Sequence, residues 1–284
     1  MGYSKKKTDS WREIQIIGFS EDNGIMAEFL FSNGCLGISE HENIVTAYFD
    51  KESDENLRLV IEDFFKNNNY TECKVIDSSL KDDDWHLKWQ EYFKRIDLTM
   101  NISIFPYWEE IDPSVKYPLR IKPGMAFGTG THETTQMALI LLEQKIFPGM
   151  KVLDAGCGSG ILTIASYQMG AEKVDSYEID DAAVENFEDH MKLNDCPGQI
   201  NISDVTELDN YDYDLIISNI QIGPNTILLE KLVEKKSDAP VIFTGILDKE
   251  RDLFRELVKD SKRIITAELI RNEWMAFIVK PQVD

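Results

Sequence analysis

Basic residues are scarce in this 284-residue chain: 30 Lys and Arg stand against 51 Asp and Glu, a net charge of −21. Such a surface has no row of cations to pair with phosphates, so direct nucleic-acid binding is not expected. A basic macromolecular partner is compatible with this field, which is also a common route to solubility. Long apolar runs are missing too. The longest clean one, Met137–Leu142, is far short of the ~20 residues of a membrane span. The lysines at 5–7 lead into Trp11-Arg12-Glu13 and not into a signal core, so no targeting segment and no membrane association are expected. Cysteine is sparse: Cys35, Cys73, Cys157 and Cys196 form no C-x-x-C pair. Reduced thiols in the cytoplasm fit that spacing; a disulfide framework or a metal site does not. Internal repeats and low-complexity tracts are also absent, and the sequence leaves oligomeric state open. What is present is enough apolar residue, 43% of the chain, to bury cores in about two domains.

The first 78 residues read as a β-α-β-β-α-β unit, the split ferredoxin-like pattern. Its strands are residues 11–17, 35–39, 44–49 and 74–76. Its helices carry Ile25, Met26, Phe29 and Leu30, then Leu57, Val60, Ile61, Phe64 and Phe65, with Ser20 and Ser53 as caps. No chemical constellation lies there, so the unit reads as recognition or scaffolding. Residues 79–96 read as a linker helix, with Trp85, Trp89 and Phe93 on one stripe. Residues 97–284 read as an α/β domain. After a strand at 102–105, short apolar strands at 151–153, 174–177, 215–218 and 241–244 alternate with helices at 161–169, 182–193, 226–235 and 251–259, the pattern of a doubly wound parallel sheet. The segments 263–270 and 274–279 are too close for a crossover and must close the sheet as an antiparallel hairpin.

The chemistry concentrates around Val152-Leu153-Asp154-Ala155-Gly156-Cys157-Gly158-Ser159-Gly160. Strand, glycine turn and helix in that order make a nucleotide site at the carboxyl end of a sheet. Gly156, Gly158 and Gly160 leave room for a ligand against the backbone. The spacing is G-x-G-x-G with Ile161 next, not the dinucleotide fingerprint, and no G-K-[ST] phosphate cradle exists. Asp154 would repel a pyrophosphate and attract a cation or an amine. Glu178, at the end of the next strand, is placed to accept hydrogen bonds from the vicinal hydroxyls of a ribose, and Asp204 could meet an adenine amino group. Adenosine without phosphate, plus a positive charge, describes S-adenosylmethionine. Methyl transfer from a sulfonium needs orientation and an unprotonated nucleophile, and little acid–base machinery.

Two further blocks flank this turn. Pro123-Gly124-Met125-Ala126-Phe127-Gly128-Thr129-Gly130-Thr131-His132-Glu133-Thr134-Thr135 reads as a loop feeding a helix over 136–144. Its threonines are either helix caps or ligands of the methionine carboxylate, and His132 is a structural loop histidine or a base. Leu215-Ile216-Ile217-Ser218-Asn219-Ile220-Gln221-Ile222-Gly223-Pro224 puts Asn219 where the strand order reverses. Its amide can accept from a substrate amine and orient the nitrogen lone pair, or simply form a turn before Gly-Pro.

Together PGMAFGTGTHETT, VLDAGCGSGILTIA, IISNI, TGIL and NEWMAF resemble the ribosomal protein L-eleven methyltransferases, over nearly the whole chain. The resemblance implies an S-adenosylmethionine-dependent protein methyltransferase that methylates lysine and N-terminal amines of a basic ribosomal protein held by the front module. It carries donor contact onto Thr135, Gly156, Glu178 and Asn219, with Phe127, Gly128, His132, Asp154 and Gly158 beside them, and the catalytic positioning role onto Asn219. Two positions depart from the family pattern: Gln221-Ile222 replaces Leu-Ala, and Glu178 replaces Asp. The alternatives are the same chemistry on another basic protein or small amine, and donor binding without turnover.

Overall fold

The computed structural model describes residues 10–18, 26, 29–30, 33–41, 44–50, 56–68, 73–81, 94–122 and 130–282. The chain divides into two compact units, Met1–Phe93 and Lys94–Asp284. In the first, β1 (Ser10–Ile17), β2 (Cys35–His41), β3 (Ile44–Asp50) and β4 (Lys74–Lys81) form one antiparallel sheet in the order β2-β3-β1-β4. Alternate residues Ile14 and Ile16, Val45, Ala47 and Phe49 are buried, as one face of a pleat demands. Against them pack Leu57, Ile61 and Phe65 of α1 (Leu57–Asn67) together with helical Met26 and Leu30. Asn56, not Ser53, is the N-cap of α1, and it makes no side-chain cap; Ser20 and Ser53 lie outside the described residues. Residues 79–81, expected in the linker helix, continue β4. Residues 82–93, with Trp85, Trp89 and Phe93, lie outside the described residues, and Ile96 already begins a strand.

The second unit holds two sheets. The larger has seven strands: β8 (Lys151–Ala155), β9 (Lys173–Glu178), β10 (Ile200–Ile202), β11 (Leu215–Asn219), β12 (Val241–Leu247), β13 (Arg263–Arg271) and β14 (Trp274–Pro281). Their order is β10-β9-β8-β11-β12-β14-β13. The first five are parallel; the hairpin β13–β14 is antiparallel, with β14 against β12 and β13 at the edge. The strand order reverses between β8 and β11, so their carboxyl ends diverge and leave a crevice.

Both faces are covered. Leu215, Ile217 and Ile242 point into one core and Ile216, Val241 and Phe243 into the other. That is why these strands read as continuous apolar runs and not as alternating ones. The helices are α2 (Glu133–Lys145), α3 (Ile161–Gln168), α4 (Ala183–Leu193), α5 (Ile222–Glu234) and α6 (Arg251–Asp260). Residues of α2, α3 and α4 share the first core and those of α5 and α6 the second.

A smaller sheet, β5 (Ile96–Asp97), β6 (Ile102–Pro106) and β7 (Tyr117–Ile121), adds Ile102, Ile104, Leu119 and Ile121 to the first core. Helix α2 is buried at Met137, Ala138, Leu139, Leu141 and Leu142, apolar nearly all round because packing surrounds it. Among the described residues no helix is long and apolar enough to cross a membrane.

Candidate active site

At the switch point lies a cavity of about 480 Å³, large enough for a nucleoside-sized ligand. Its floor is Gly156 and Gly158. One end is built by Tyr177, Glu178, Ile179, Ser203, Asp204 and Val205; the other by His132, Asn219, Ile220, Gln221, Ile227 and Trp274. Strand ends supply the first set: β9 stops at Glu178, and Asp204 caps a short 3₁₀ turn by accepting from the Thr206 amide and hydroxyl.

The turn after β8 needs glycine for its own backbone. Gly156, Gly158 and Gly160 have φ of +74°, +49° and +79°, the left-handed region that only glycine enters without cost. A Cβ at Gly160 would meet the Phe187 ring at 2.7 Å. The turn is then pinned from outside: Gly156 and Cys157 donate N–H to the Tyr177 carbonyl at 2.9 and 3.0 Å, and Gly158 donates to Glu178 Oε2 at 3.0 Å. Glu178 Oε1 accepts from Ile179 and Asp180 at 2.8 and 3.2 Å. The carboxylate therefore organises the cavity wall.

Asp154 does not line the cavity. It is wholly buried beneath the turn, where Oδ2 accepts from the Thr163 hydroxyl at 2.6 Å while Oδ1 has no partner. The carboxylate expected to attract a cation or an amine is a core group, because its strand is covered on both faces. Burial, reinforced by the Glu178 charge, lifts its pKa from 3.8 to about 7. A group whose folded pKa lies above its unfolded one is most favourable when protonated. Its stabilising share is complete below about pH 4 and is lost as pH rises to about 7. Asp154→Asn keeps an acceptor for Thr163 and cannot ionise. It should flatten the fall in melting stability over that window, a term of at most about 4 kcal/mol, measured by denaturant melts across pH. Parallel curves for the two proteins would contradict the assignment.

Helix α2 begins at Glu133, three residues earlier than expected, and its N-cap is His132 and none of the threonines. His132 Nδ1 accepts from the Thr134 amide at 3.3 Å and lies 2.7 Å from the Thr134 hydroxyl. Its ring packs edge-on to Trp274, centroids 5.0 Å apart, and burial lowers its pKa. His132 thus both caps the helix and lines the cavity.

Thr135 is buried and accepts from Asn219 Nδ2 at 3.3 Å. That contact aims the amide, leaving Asn219 Oδ1 buried beside the cavity and without a partner among the described residues, with the residue 8% exposed. An orphaned acceptor in a built cavity fits an N–H group of a bound molecule. Helix α5 begins at Ile222, four residues earlier than expected, so Gly223-Pro224 lies in its first turn, where proline is tolerated. Asn219 is held in place by packing: a Cβ at Gly245 would collide with the Ile220 carbonyl, and Asn225 Nδ2 donates to that same carbonyl at 2.8 Å. Phe127 and Gly128 lie outside the described residues. Gln221, which the sequence places beside the acceptor site, lines the cavity, whereas sequence reasoning missed Ile227 and Trp274. Trp274 enters from the terminal hairpin, which no local pattern connects to the switch point.

The family model described as Ribosomal protein L11 methyltransferase (PrmA) matches residues 16–282. Two relatives named ribosomal protein L11 methyltransferase come from Streptococcus pneumoniae. That of strain P1031 is 28% identical over 312 residues, and that of strain ATCC 700669 / Spain 23F-1 is 29% identical over 315. Each alignment covers 97% of this chain and 98% of the relative. A crystal structure of a ribosomal protein L11 methylase from Lactobacillus delbrueckii subsp. bulgaricus is similar at a TM-score of 0.62 with 27% identity. It covers 67% of this chain and 100% of its own. A sheet of this strand order, with a nucleoside-sized cavity at its switch point and a match running through both units, places the chain in the ribosomal protein L11 methyltransferase family.

Proposed function

We propose that this chain transfers methyl groups from S-adenosylmethionine to amino groups, lysine side chains and the N-terminal amine, of ribosomal protein L11. The observation that carries the reading is one cavity with Glu178 at one end and the unpartnered Asn219 Oδ1 at the other. The Glu178 end suits a ribose and the Gly156–Gly158 floor suits a ligand lying on the backbone. When bound, S-adenosylmethionine supplies an electrophilic methyl group on a positively charged sulfur.

The chain's residues then have one task, orientation. Thr135 fixes the Asn219 amide, Asn219 Oδ1 accepts an N–H of the incoming amine, and its lone pair is thereby aimed across the cavity. The amine must arrive unprotonated, since its lone pair forms the new N–C bond as the methyl–sulfur bond breaks; the thioether S-adenosylhomocysteine leaves with that electron pair, and the methylated ammonium gives a proton to solvent before a further addition. The acceptor is a basic protein and not a nucleic acid, in keeping with a net charge of −21, and the setting is the cytoplasm, where ribosomal proteins are made. The front unit is the substrate holder in this reading.

Intact-mass spectrometry of L11 incubated with the chain and S-adenosylmethionine tests it. Stepwise methyl additions are expected. Methylation of other amines alone would favour a different acceptor, and donor binding with no transfer to any amine would sink the catalytic reading.

A further inference from the structure

The buried positions of α5 are Asn225, Leu228, Leu229 and Leu232. They follow the i, i+3, i+4, i+7 spacing of a core-facing stripe, and a fourth leucine would complete it. Asparagine is the exception. It is a weak helix former and costly to bury unless its amide is satisfied.

That amide is fully used. Asn225 Nδ2 donates to the Ile220 carbonyl at 2.8 Å and to the Thr244 carbonyl at 2.9 Å, and Oδ1 accepts from the Ser218 hydroxyl at 2.6 Å. Carbonyls can only accept, so the nitrogen must face both of them, and the oxygen is left for the hydroxyl. The three partners surround one residue. Ser218 precedes Asn219 on β11, Ile220 follows it, and Thr244 is its partner across the β11–β12 pair.

The neighbouring strand is shaped to the same end. β12 shifts register against β14 between Phe243 and Ile246, the stretch in which Thr244 presents its carbonyl to Asn225. Gly245 follows with φ of +78° and passes so close to the Ile220 carbonyl that a Cβ would collide. Asn219, Ile220 and Gly245 all line the cavity.

We infer that Asn225 is a positioning residue for the acceptor amine. By holding Ser218, Ile220 and Thr244 it fixes the backbone from which Asn219 presents Oδ1, just as Thr135 fixes the rotation of the Asn219 amide. The signature of that role is a loss of rate with donor affinity kept, because the glycine turn hangs on Tyr177 and Glu178.

The inference rests on the proposed amine methylation and separates from it experimentally. Asn225→Leu completes the apolar stripe and removes all three contacts. Ser218→Ala removes one and keeps the two carbonyl contacts. Leu229→Ala weakens the packing of the same helix one turn away. Melting temperature, the dissociation constant for S-adenosylhomocysteine and the single-turnover rate of methyl transfer to L11 are measured for each. Rates are taken in the parent and in the Asn219→Ala background. In the parent, Asn225→Leu should slow transfer roughly 30-fold and Ser218→Ala roughly threefold. In Asn219→Ala both should cost less than about twofold, since a misplaced amide matters only where the amide exists. Dissociation constants should stay within about threefold. Leu229→Ala should lower the melting temperature and leave the rate within about twofold. Equal slowing in both backgrounds, or a rate that simply follows melting temperature, would make Asn225 a structural residue only and overturn the inference. Should Asn225→Leu fail to fold, Ser218→Ala decides by the same comparison of backgrounds. If the parent binds S-adenosylhomocysteine but methylates no amine, the catalytic reading fails first and takes the inference with it.

Discussion

Replacing Glu178 with alanine should raise the dissociation constant for S-adenosylmethionine by about 10- to 100-fold. Two effects combine. The ribose hydroxyls lose a charged acceptor, worth about 1.5–3 kcal/mol for a hydrogen bond to an ionised group, or one to two decades in affinity. The Gly158 amide, held at 3.0 Å by Oε2, also loses its partner, as do the amides of Ile179 and Asp180. The wall of the cavity is then free to move away from the ligand. Glu178→Gln separates the two effects. One amide oxygen can still serve Ile179 and Asp180, but the NH2 replacing Oε2 confronts the Gly158 N–H, donor against donor. It should fall between the parent and Glu178→Ala. Calorimetry on the three proteins decides: equal affinities would remove the ribose from this end of the cavity.

Much of the architecture was legible because each cue was periodic. The strands 215–219 and 241–247 open on continuous apolar runs, Leu215–Ile217 and Val241–Phe243, and covered faces are the reason for such runs. The three-residue link at Arg271-Asn272-Glu273 allowed only a hairpin, and β13–β14 is one.

What escaped was short or carried a misleading residue. β10 has three residues, too few for a pattern. β7 contains Pro118, which demotes a strand in any sequence reading; it is tolerated here because β7 lies at a sheet edge, which α4 covers with side chains. Gly223-Pro224 hid the start of α5, which begins at Ile222 and not at 226.

The site divides the same way. Glu178 and Asn219 could be anticipated because both terminate strands at the sheet's carboxyl edge. Asp154 also lies near a strand end, but sequence cannot say which of a strand's two covered faces is dry. It is the dry one: Thr163 and Ser176 sit under it, 2.8 Å apart. Likewise, Asn225 looks like any polar residue near a helix start until Ser218, Ile220 and Thr244 are found around its amide.

Asn219→Ala should do the opposite of Glu178→Ala: turnover falls by about 100-fold while donor affinity changes by less than about threefold. The residue's Oδ1 has no partner among the described residues, so its removal costs the folded chain only the contact from Nδ2 to the Thr135 hydroxyl. Its loss is felt most when an amine has to be aimed, and misplacing a reacting atom by an ångström costs about two decades in rate. The contact that aims the amide gives an independent check. Thr135 is wholly buried, and its hydroxyl accepts from Asn219 Nδ2 at 3.3 Å. Thr135→Val keeps the shape but removes that acceptor, so the amide can rotate and present Nδ2 to the amine in place of Oδ1. A donor facing a donor should slow transfer by about tenfold, and the double variant should be no slower than Asn219→Ala alone, because both substitutions break one chain of contacts. Single-turnover mass spectrometry at saturating donor measures all four proteins. Strictly multiplicative losses would mean that Thr135 and Asn219 act separately, and equal losses of donor affinity and rate in Asn219→Ala would assign the amide to the donor and not to the amine.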